Sequence, residues 1–301
     1  MPSELITSAQ NPKVKRLLAL QKDSSLRRES GLFVVEGQRE LQHCIDAGFE
    51  IDTIFICPSL FADGGFRDAV PQNFASLIPP TSLRSWAPPS NVSEGGHGFG
   101  AQVHGTAAGH TRIYEVSEDV YDKVAYRGGT EGVIAEVRAR NRRLEDLQLP
   151  DNPLIMVLES VEKPGNLGAV LRSADAAGAD AVLICDPLTD LWNPNLIRAS
   201  IGAVFTVPVA VCSSDEAISW LKASGIRILT AQLQDSSLYY DTDMQGGTAL
   251  VMGTESTGLS QQWRDAADAH IRIPMLGALD SLNVSVSAAI LLFEAVRQRH
   301  N

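Results

Sequence analysis

Three segments in the second half of the chain carry residue types and spacings suited to chemistry. Glu162-Lys-Pro-Gly-Asn-Leu-Gly-Ala-Val-Leu-Arg172 reads as a strand end, a glycine-containing turn and a helix. Arg172 falls one turn beyond Gly168 on the same helix face. Leu250-Val-Met-Gly-Thr-Glu-Ser-Thr-Gly-Leu-Ser260 is a buried strand running into a turn, with Gly253 and Gly258 bracketing Glu255. Ile271-Arg-Ile-Pro-Met-Leu-Gly is followed by Asp280-Ser-Leu-Asn-Val-Ser285, which leads into a final helix. Each segment also has a plain structural reading, because glycines after strands form turns and Ser281, Asn283 or Ser285 can cap a helix. A dinucleotide site needs G-x-G-x-x-G after a strand and a P-loop needs G-x-x-x-x-G-K-[ST]; neither occurs, nor does a G-x-S-x-G nucleophile turn. What the residues support is an α/β enzyme-like domain with ligand loops at its strand ends.

The elements that must position these loops are legible as a regular alternation from Leu154 onward. Strands are expected at Leu154–Leu158, Ala181–Cys185, Val204–Val209, Ile226–Ala231, Ala249–Gly253 and Ile271–Pro274. Helices are expected near Gly168–Ala177, Pro194–Ser200, Ser214–Ala223 and Ser285–Arg297. Short apolar strands alternating with helices imply a mostly parallel sheet covered on both faces. The first part reads as a smaller mixed α/β domain. Asn11-Pro12 starts a helix whose apolar residues include Val14, Leu17 and Leu18. Leu32–Glu36 reads as a strand, Gly37 opens a helix through Leu41 and Ile45 that closes at Gly48, and Asp52–Cys57 and Gly132–Val137 are further strands. Residues 87–111, rich in Gly, Pro, Ser and Thr, read as a flexible insertion. Its His97, His104 and His110 lack carboxylate or thiolate companions, and no metal is assigned. The expected domains are residues 1–143, a polar linker over 144–152, and residues 153–301.

With 301 residues, 44% hydrophobic and 20% charged, the chain is of ordinary globular composition, which excludes wholesale disorder. No apolar run approaches the roughly 18 residues of a membrane span. Met1-Pro-Ser-Glu-Leu lacks the features of a secretory signal, and Cys44, Cys57, Cys185 and Cys212 form no C-x-x-C pair, so a reducing cytoplasm is expected. The net charge of −11 argues against a nucleic-acid partner until it is divided. Residues 144–301 carry nine basic against 19 acidic side chains, leaving 16 against 17 in residues 1–143. There the bases cluster at Lys13, Lys15, Arg16, Lys22, Arg27 and Arg28, and again at Arg138, Arg140, Arg142 and Arg143. Such clusters suit RNA phosphates, although on charge alone solvated helix faces are the favoured reading.

Taken together and in order, the motifs resemble the SpoU (TrmH) family of RNA ribose 2′-O-methyltransferases, within the SPOUT superfamily. The resemblance runs through Asn166-x-Gly-x-x-x-Arg172, Gly253-x-Glu-x-x-Gly-Leu259, and Ile273-Pro-Met with Ser281-Leu-Asn-Val-Ser285. Arg198-Ala-Ser-Ile-Gly-Ala-Val-Phe-Thr-Val-Pro208 is similarly family-like. Ile6-Thr-Ser-Ala-Gln-Asn-Pro-Lys-Val-Lys and Phe33-Val-Val-Glu-Gly37 look like the family's ribosomal-protein-like substrate-binding domain. The resemblance covers the chain except for the 87–111 insertion. It implies a C-terminal α/β domain with a deep trefoil knot, a mostly parallel sheet and a smaller N-terminal RNA-binding domain. It also implies S-adenosylmethionine as cofactor, held by Met252, Gly253, Thr254, Ile273, Met275, Leu282 and Val284. The implied catalytic residues are Asn166, Arg172, Glu255, Ser281 and Asn283. RNA-contact candidates are Lys13, Lys15, Arg16, Arg28 and Arg198. A guanidinium keeps its proton throughout the accessible pH range, so Arg172 is expected to stabilise the developing alkoxide rather than act as base. The implied partners are RNA, ribosomal rather than transfer RNA because tail extensions are not evident, and a second copy of the chain through the final helix. An RNA-binding module of the same fold without catalysis is the alternative.

Overall fold

The computed structural model describes residues 4–60, 111–126, 131–254, 257–279 and 281–300. The chain divides into two compact units, Met1–Arg138 and Ala139–Asn301. Glu255, Asp280 and nearly all of the 87–111 insertion, with its three histidines, lie outside the described residues. Among the described residues no helix is long and apolar enough to cross a membrane.

The first unit is built on a five-stranded mixed sheet in the order β1-β4-β3-β5-β2. Its strands are β1 (Glu4–Ile6), β2 (Leu32–Glu36), β3 (Ile51–Ile56), β4 (Arg112–Val116) and β5 (Val133–Arg138). The expected helix begins at Pro12, with the Asn11 side chain accepting from the Lys13 N–H at 2.9 Å. It runs to Lys22 and buries Val14, Leu17 and Leu20. A second helix, Ser24–Ser30, follows at once, because Asp23 caps it and Gly31 stops it at φ +63°. The pattern did not separate the two, since only one residue divides them. The Gln38–Asp46 helix lies where expected. β4 and the Glu118–Val124 helix went unread, as β4 shows no alternation and buries only Val116 fully.

The second unit holds a seven-stranded sheet in the order β10-β12-β9-β11-β6-β7-β8, with every pairing parallel. The strands are β6 (Leu154–Glu159), β7 (Ala181–Cys185), β8 (Val209–Cys212), β9 (Arg227–Ala231), β10 (Ser237–Leu238), β11 (Thr248–Met252) and β12 (Ala269–Arg272). β6, β7 and β11 are buried at every residue, as strands covered on both faces must be. The helices Pro164–Ala176, Pro194–Ser200, Ser214–Ala223 and Val284–Arg299 fall where expected within a few residues.

Two expectations are corrected. The run Val204–Val209 is not one strand. Ile201 and Gly202 both take left-handed backbone, at φ +53° and +87°, turning the chain into a short helix, Ala203–Thr206. That helix buries Ala203, Val204 and Phe205, and the Phe205 ring stacks on Trp192; the strand begins only after Pro208. β-Branched composition was outweighed by this packing. The last strand is Ala269–Arg272 rather than Ile271–Pro274, which releases Ile273 and Pro274 from the ladder. The Gln261–Ala266 helix, which buries Trp263, had no visible periodicity in so short a span.

Candidate active site

The carboxyl ends of β6, β9, β11 and β12 lie side by side in the second unit, the edge at which open parallel sheets bind ligands. β11 delivers Met252, and the chain then closes on itself. The Thr254 N–H donates to the Gly258 carbonyl at 3.2 Å, and the Gly258 N–H donates back to the Thr254 carbonyl at 3.1 Å. Thr254 Oγ1 accepts from the Thr257 N–H at 3.0 Å. Gly253 cannot be replaced without moving this turn, since a Cβ there would sit 2.3 Å from the Gly258 carbonyl. The far side is fastened by the buried Glu159 at the end of β6, which accepts from the Ser260 N–H at 2.8 Å.

A cavity of about 390 Å³ opens beside this turn. Its walls include all seven residues expected to hold a cofactor: Met252, Gly253, Thr254, Ile273, Met275, Leu282 and Val284. Ser281 lines it as well. A second cavity of about 120 Å³ is lined by Val161, Glu162, Lys163 and Asn166 and shares Gly253, Thr254 and Val284 with the first. The two therefore meet at the turn after β11.

Asn166 stands in the first turn of the Pro164–Ala176 helix, and Asn283 is the N-cap of Val284–Arg299. The Asn283 amide N–H donates to Asn166 Oδ1 at 3.2 Å across a separation of 117 residues. Asn283 Oδ1 meanwhile accepts from the Ser285 N–H at 3.0 Å and from its hydroxyl at 2.6 Å, which fixes the orientation of the Asn283 amide. Gly168 serves packing: a Cβ there would lie 2.6 Å from Ala199 Cβ and 2.8 Å from the Leu196 carbonyl, so its absence lets the Pro194–Ser200 helix close in. Arg172, four residues on, is exposed and lines neither cavity. Arg198 donates to Asn195 Oδ1 at 2.6 Å.

In the first unit the RNA-contact candidates separate. Lys15 and Arg28 are exposed, Arg28 donating to the Ser25 hydroxyl. Lys13 pairs with Glu4 at 2.6 Å and stands over the Tyr114 ring. Arg16 is occupied by Glu136 and Asp52, and Arg112 and Arg138 also reach Asp52. Burial pushes the Asp52 carboxyl up, but hydrogen bonds from Thr53 and Arg112 and the charges of Arg112 and Arg16 hold it below the usual carboxylate range. Burial raises Glu136 above that range despite its bonds from Arg16. Arg27 is buried and donates to the Leu20 and Gln21 carbonyls, so it closes a helix end rather than offering charge.

Sequence reasoning missed Gln232, Arg264 and Leu291 on the wall of the larger cavity and Lys163 on the smaller. Lys163 lay within a segment already singled out. The others belong to elements whose place beside β11 depends on strand order. Among the described residues no group of three or more His, Cys, Asp or Glu side chains could hold a metal ion.

Comparison with known proteins agrees with this geometry. The SpoU rRNA methylase family model matches residues 153–293, and an MRM3-like substrate-binding domain matches residues 11–76. The 23S rRNA (guanosine-2′-O-)-methyltransferase RlmB of a Burkholderia species is 34% identical over 74% of this chain and 91% of its own. Its namesake in Escherichia coli K12 is 38% identical over 56% and 72%. A crystal structure of an RNA 2′-O-ribose methyltransferase is 35% identical, with a TM-score of 0.73 over 99% of this chain and 100% of that one. An AdoMet-bound rRNA methyltransferase from Sinorhizobium meliloti is 27% identical, with a TM-score of 0.78 over 98% of both. With its turn after β11, its paired asparagines and these relatives, the chain belongs to the SpoU rRNA methylase family.

Proposed function

We propose that the protein transfers a methyl group from S-adenosylmethionine to a ribose 2′-hydroxyl of ribosomal RNA. The observation that carries this reading is the pair of cavities meeting at Gly253, Thr254 and Val284, one with an apolar wall and one beside Asn166. The larger cavity fits the cofactor chemically. Ile273, Met275 and Leu282 offer apolar surface for a flat ring, and the turn over Gly253 lets backbone groups come close. When bound, S-adenosylmethionine supplies an electrophilic methyl group on a sulfonium that becomes a neutral thioether on transfer.

The chain's own residues then have the harder partner to manage, a hydroxyl of very low acidity. Asn166, held by Asn283, is a neutral amide that orients the ribose without titrating. Arg172, two turns along the same helix, is donor-only and exposed, which suits a neighbouring phosphate and the negative charge developing on the 2′-oxygen. Ser281 completes the wall on the cofactor side.

The homologues named above act on guanosine of 23S rRNA, and the same substrate class is assigned here. In this reading the protein works in the cytoplasm as a homodimer. The final helix supports the dimer: it buries Val284, Ala288, Leu291, Leu292 and Ala295 within the unit, yet leaves Val286 and Phe293 about half exposed on another face. Core packing does not account for that stripe. Light scattering of wild type and Phe293→Glu tests it, with a dimeric mass expected for the first and a monomeric mass for the second.

Incubating the protein with tritium-labelled S-adenosylmethionine and bulk RNA lacking the modification, then mapping the 2′-O-methyl nucleotides, tests the activity. Label in ribosomal RNA at a ribose 2′ position is expected. Cofactor binding without transfer to any RNA would favour the non-catalytic module instead.

A further inference from the structure

Two buried polar atoms on the wall of the larger cavity have no hydrogen-bond partner among the described residues: Gln232 Oε1 and Arg264 Nε. A buried donor or acceptor left unmet is costly, and such atoms in a ligand cavity mark where a ligand completes the bonding. Gln232 follows β9, and its main-chain N–H donates to the Ile271 carbonyl at 3.0 Å. Its side-chain nitrogen donates to the Gln234 carbonyl at 2.9 Å, so the amide cannot be turned round and the oxygen is the atom in need of a donor. Arg264 comes from the Gln261–Ala266 helix, and its Nη2 lies 3.8 Å from where a Cβ on Gly258 would stand. A guanidinium only donates, so the unmet Nε–H requires an acceptor.

The cavity thus presents one unsatisfied acceptor and one unsatisfied cationic donor beside an apolar wall. We propose that Arg264 binds the carboxylate of the methyl donor and that Gln232 Oε1 accepts from one of the donor's hydroxyl or amino groups. This rests on the methyltransferase reading above. Among the parts of S-adenosylmethionine the carboxylate is the only anion, and a guanidinium is repelled by the sulfonium, so the carboxylate is where Arg264 gains most. Neither residue belongs to the three motif segments. Arg264 stands four residues beyond Ser260, and Gln232 about 20 residues ahead of Gly253.

Calorimetry with the full-length protein, S-adenosylmethionine and its decarboxylated analogue decides the matter. Wild type is expected to bind the analogue roughly 10- to 100-fold more weakly, the range of a lost charge-assisted hydrogen bond. In Arg264→Gln the affinity for S-adenosylmethionine should fall to that of the analogue, bringing the ratio near one. In Gln232→Leu both ligands should weaken together by about tenfold, with the ratio kept. Equal binding of the two ligands by wild type would overturn the carboxylate assignment without any variant, so it stays testable if Arg264→Gln does not fold. A ratio unchanged in Arg264→Gln, or an equal loss of both ligands, would reduce Arg264 to a support of the turn. Undiminished binding by Gln232→Leu would remove the second contact. Failure of wild type to bind S-adenosylmethionine at all would instead overturn the methyltransferase reading.

Discussion

Asn283 performs two tasks with one amide: its oxygen caps the final helix through Ser285, and its nitrogen holds Asn166. Replacing it by alanine should therefore cost on both counts, about 1 kcal/mol of stability from the lost cap and a large fall in turnover. Asn166→Ala leaves the cap intact, so its stability should match wild type while kcat falls on the order of 100-fold. Urea midpoints beside single-turnover methyl transfer separate the two variants. S-Adenosylmethionine affinity should move less than threefold in Asn166→Ala, because Asn166 lines only the smaller cavity. Arg172→Lys keeps the charge but loses the planar fork. If the guanidinium meets both phosphate and alkoxide, kcat should drop about tenfold or more with cofactor affinity unchanged. Turnover near the wild-type rate would refute that role.

At the scale of elements, one glycine and two carboxylates decide how parts fit. Gly168→Ala would push a methyl group into Ala199 and the Leu196 carbonyl, separating the Pro164–Ala176 and Pro194–Ser200 helices. The expected cost is about 1–3 kcal/mol, read as a lower urea midpoint. The sequence places Gly168 at the start of a helix, and the fold makes it the point of contact with a second helix. In the first unit, Asp52 gathers Arg16, Arg112 and Arg138 over the β3–β4–β5 surface. Its carboxyl sits below the usual range, so its contribution is present above the ordinary carboxylate pKa of about 3.9 and is lost as pH falls through the lower folded value. Glu136, raised by burial, has the opposite sign: its ionisation weighs against the fold as pH rises through the carboxylate range. Asp52→Asn should loosen β3 and β5 at neutral pH and narrow the difference from wild type toward pH 3. Hydrogen exchange of those strands, compared between the two proteins at each pH, measures this.

For the whole molecule, the count of basic residues overstates the charge available to RNA. Arg16 and Arg138 are held by carboxylates, Arg27 closes a helix, and Arg143 lies near Glu145 and Asp146. Lys15 and Arg28 stand exposed on the first unit. If these two meet phosphates, Lys15→Ala and Arg28→Ala should each reduce the slope of log affinity against log salt by about 0.7–0.9. Arg16→Ala should instead destabilise the sheet and leave that slope nearly unchanged. Filter binding of ribosomal RNA across a salt series distinguishes the two outcomes. The acidic second unit poses no obstacle in this arrangement, because the described residues lining its larger cavity are apolar side chains, hydroxyls, amides and two arginines rather than carboxylates.

What the sequence determined by itself was local. The Asn11-Pro12 start, the Gly48 stop, the buried strands β6, β7 and β11 and the turn after β11 all follow from residue types within a few positions of one another. The seven cofactor-wall residues were legible through the family resemblance, because they belong to the second and third motif segments. Only the tertiary structure decided that β9 lies between β11 and β12, which carries Gln232 to the cavity, and that Arg264 reaches it from a short helix. It also decided that Asn166 meets Asn283, and that Arg16, Arg112 and Arg138 of the first unit are held by Asp52 and Glu136. Sequence periodicity records which face of an element is buried; strand order and side-chain pairing across more than a hundred residues are set by the packing of those faces against each other.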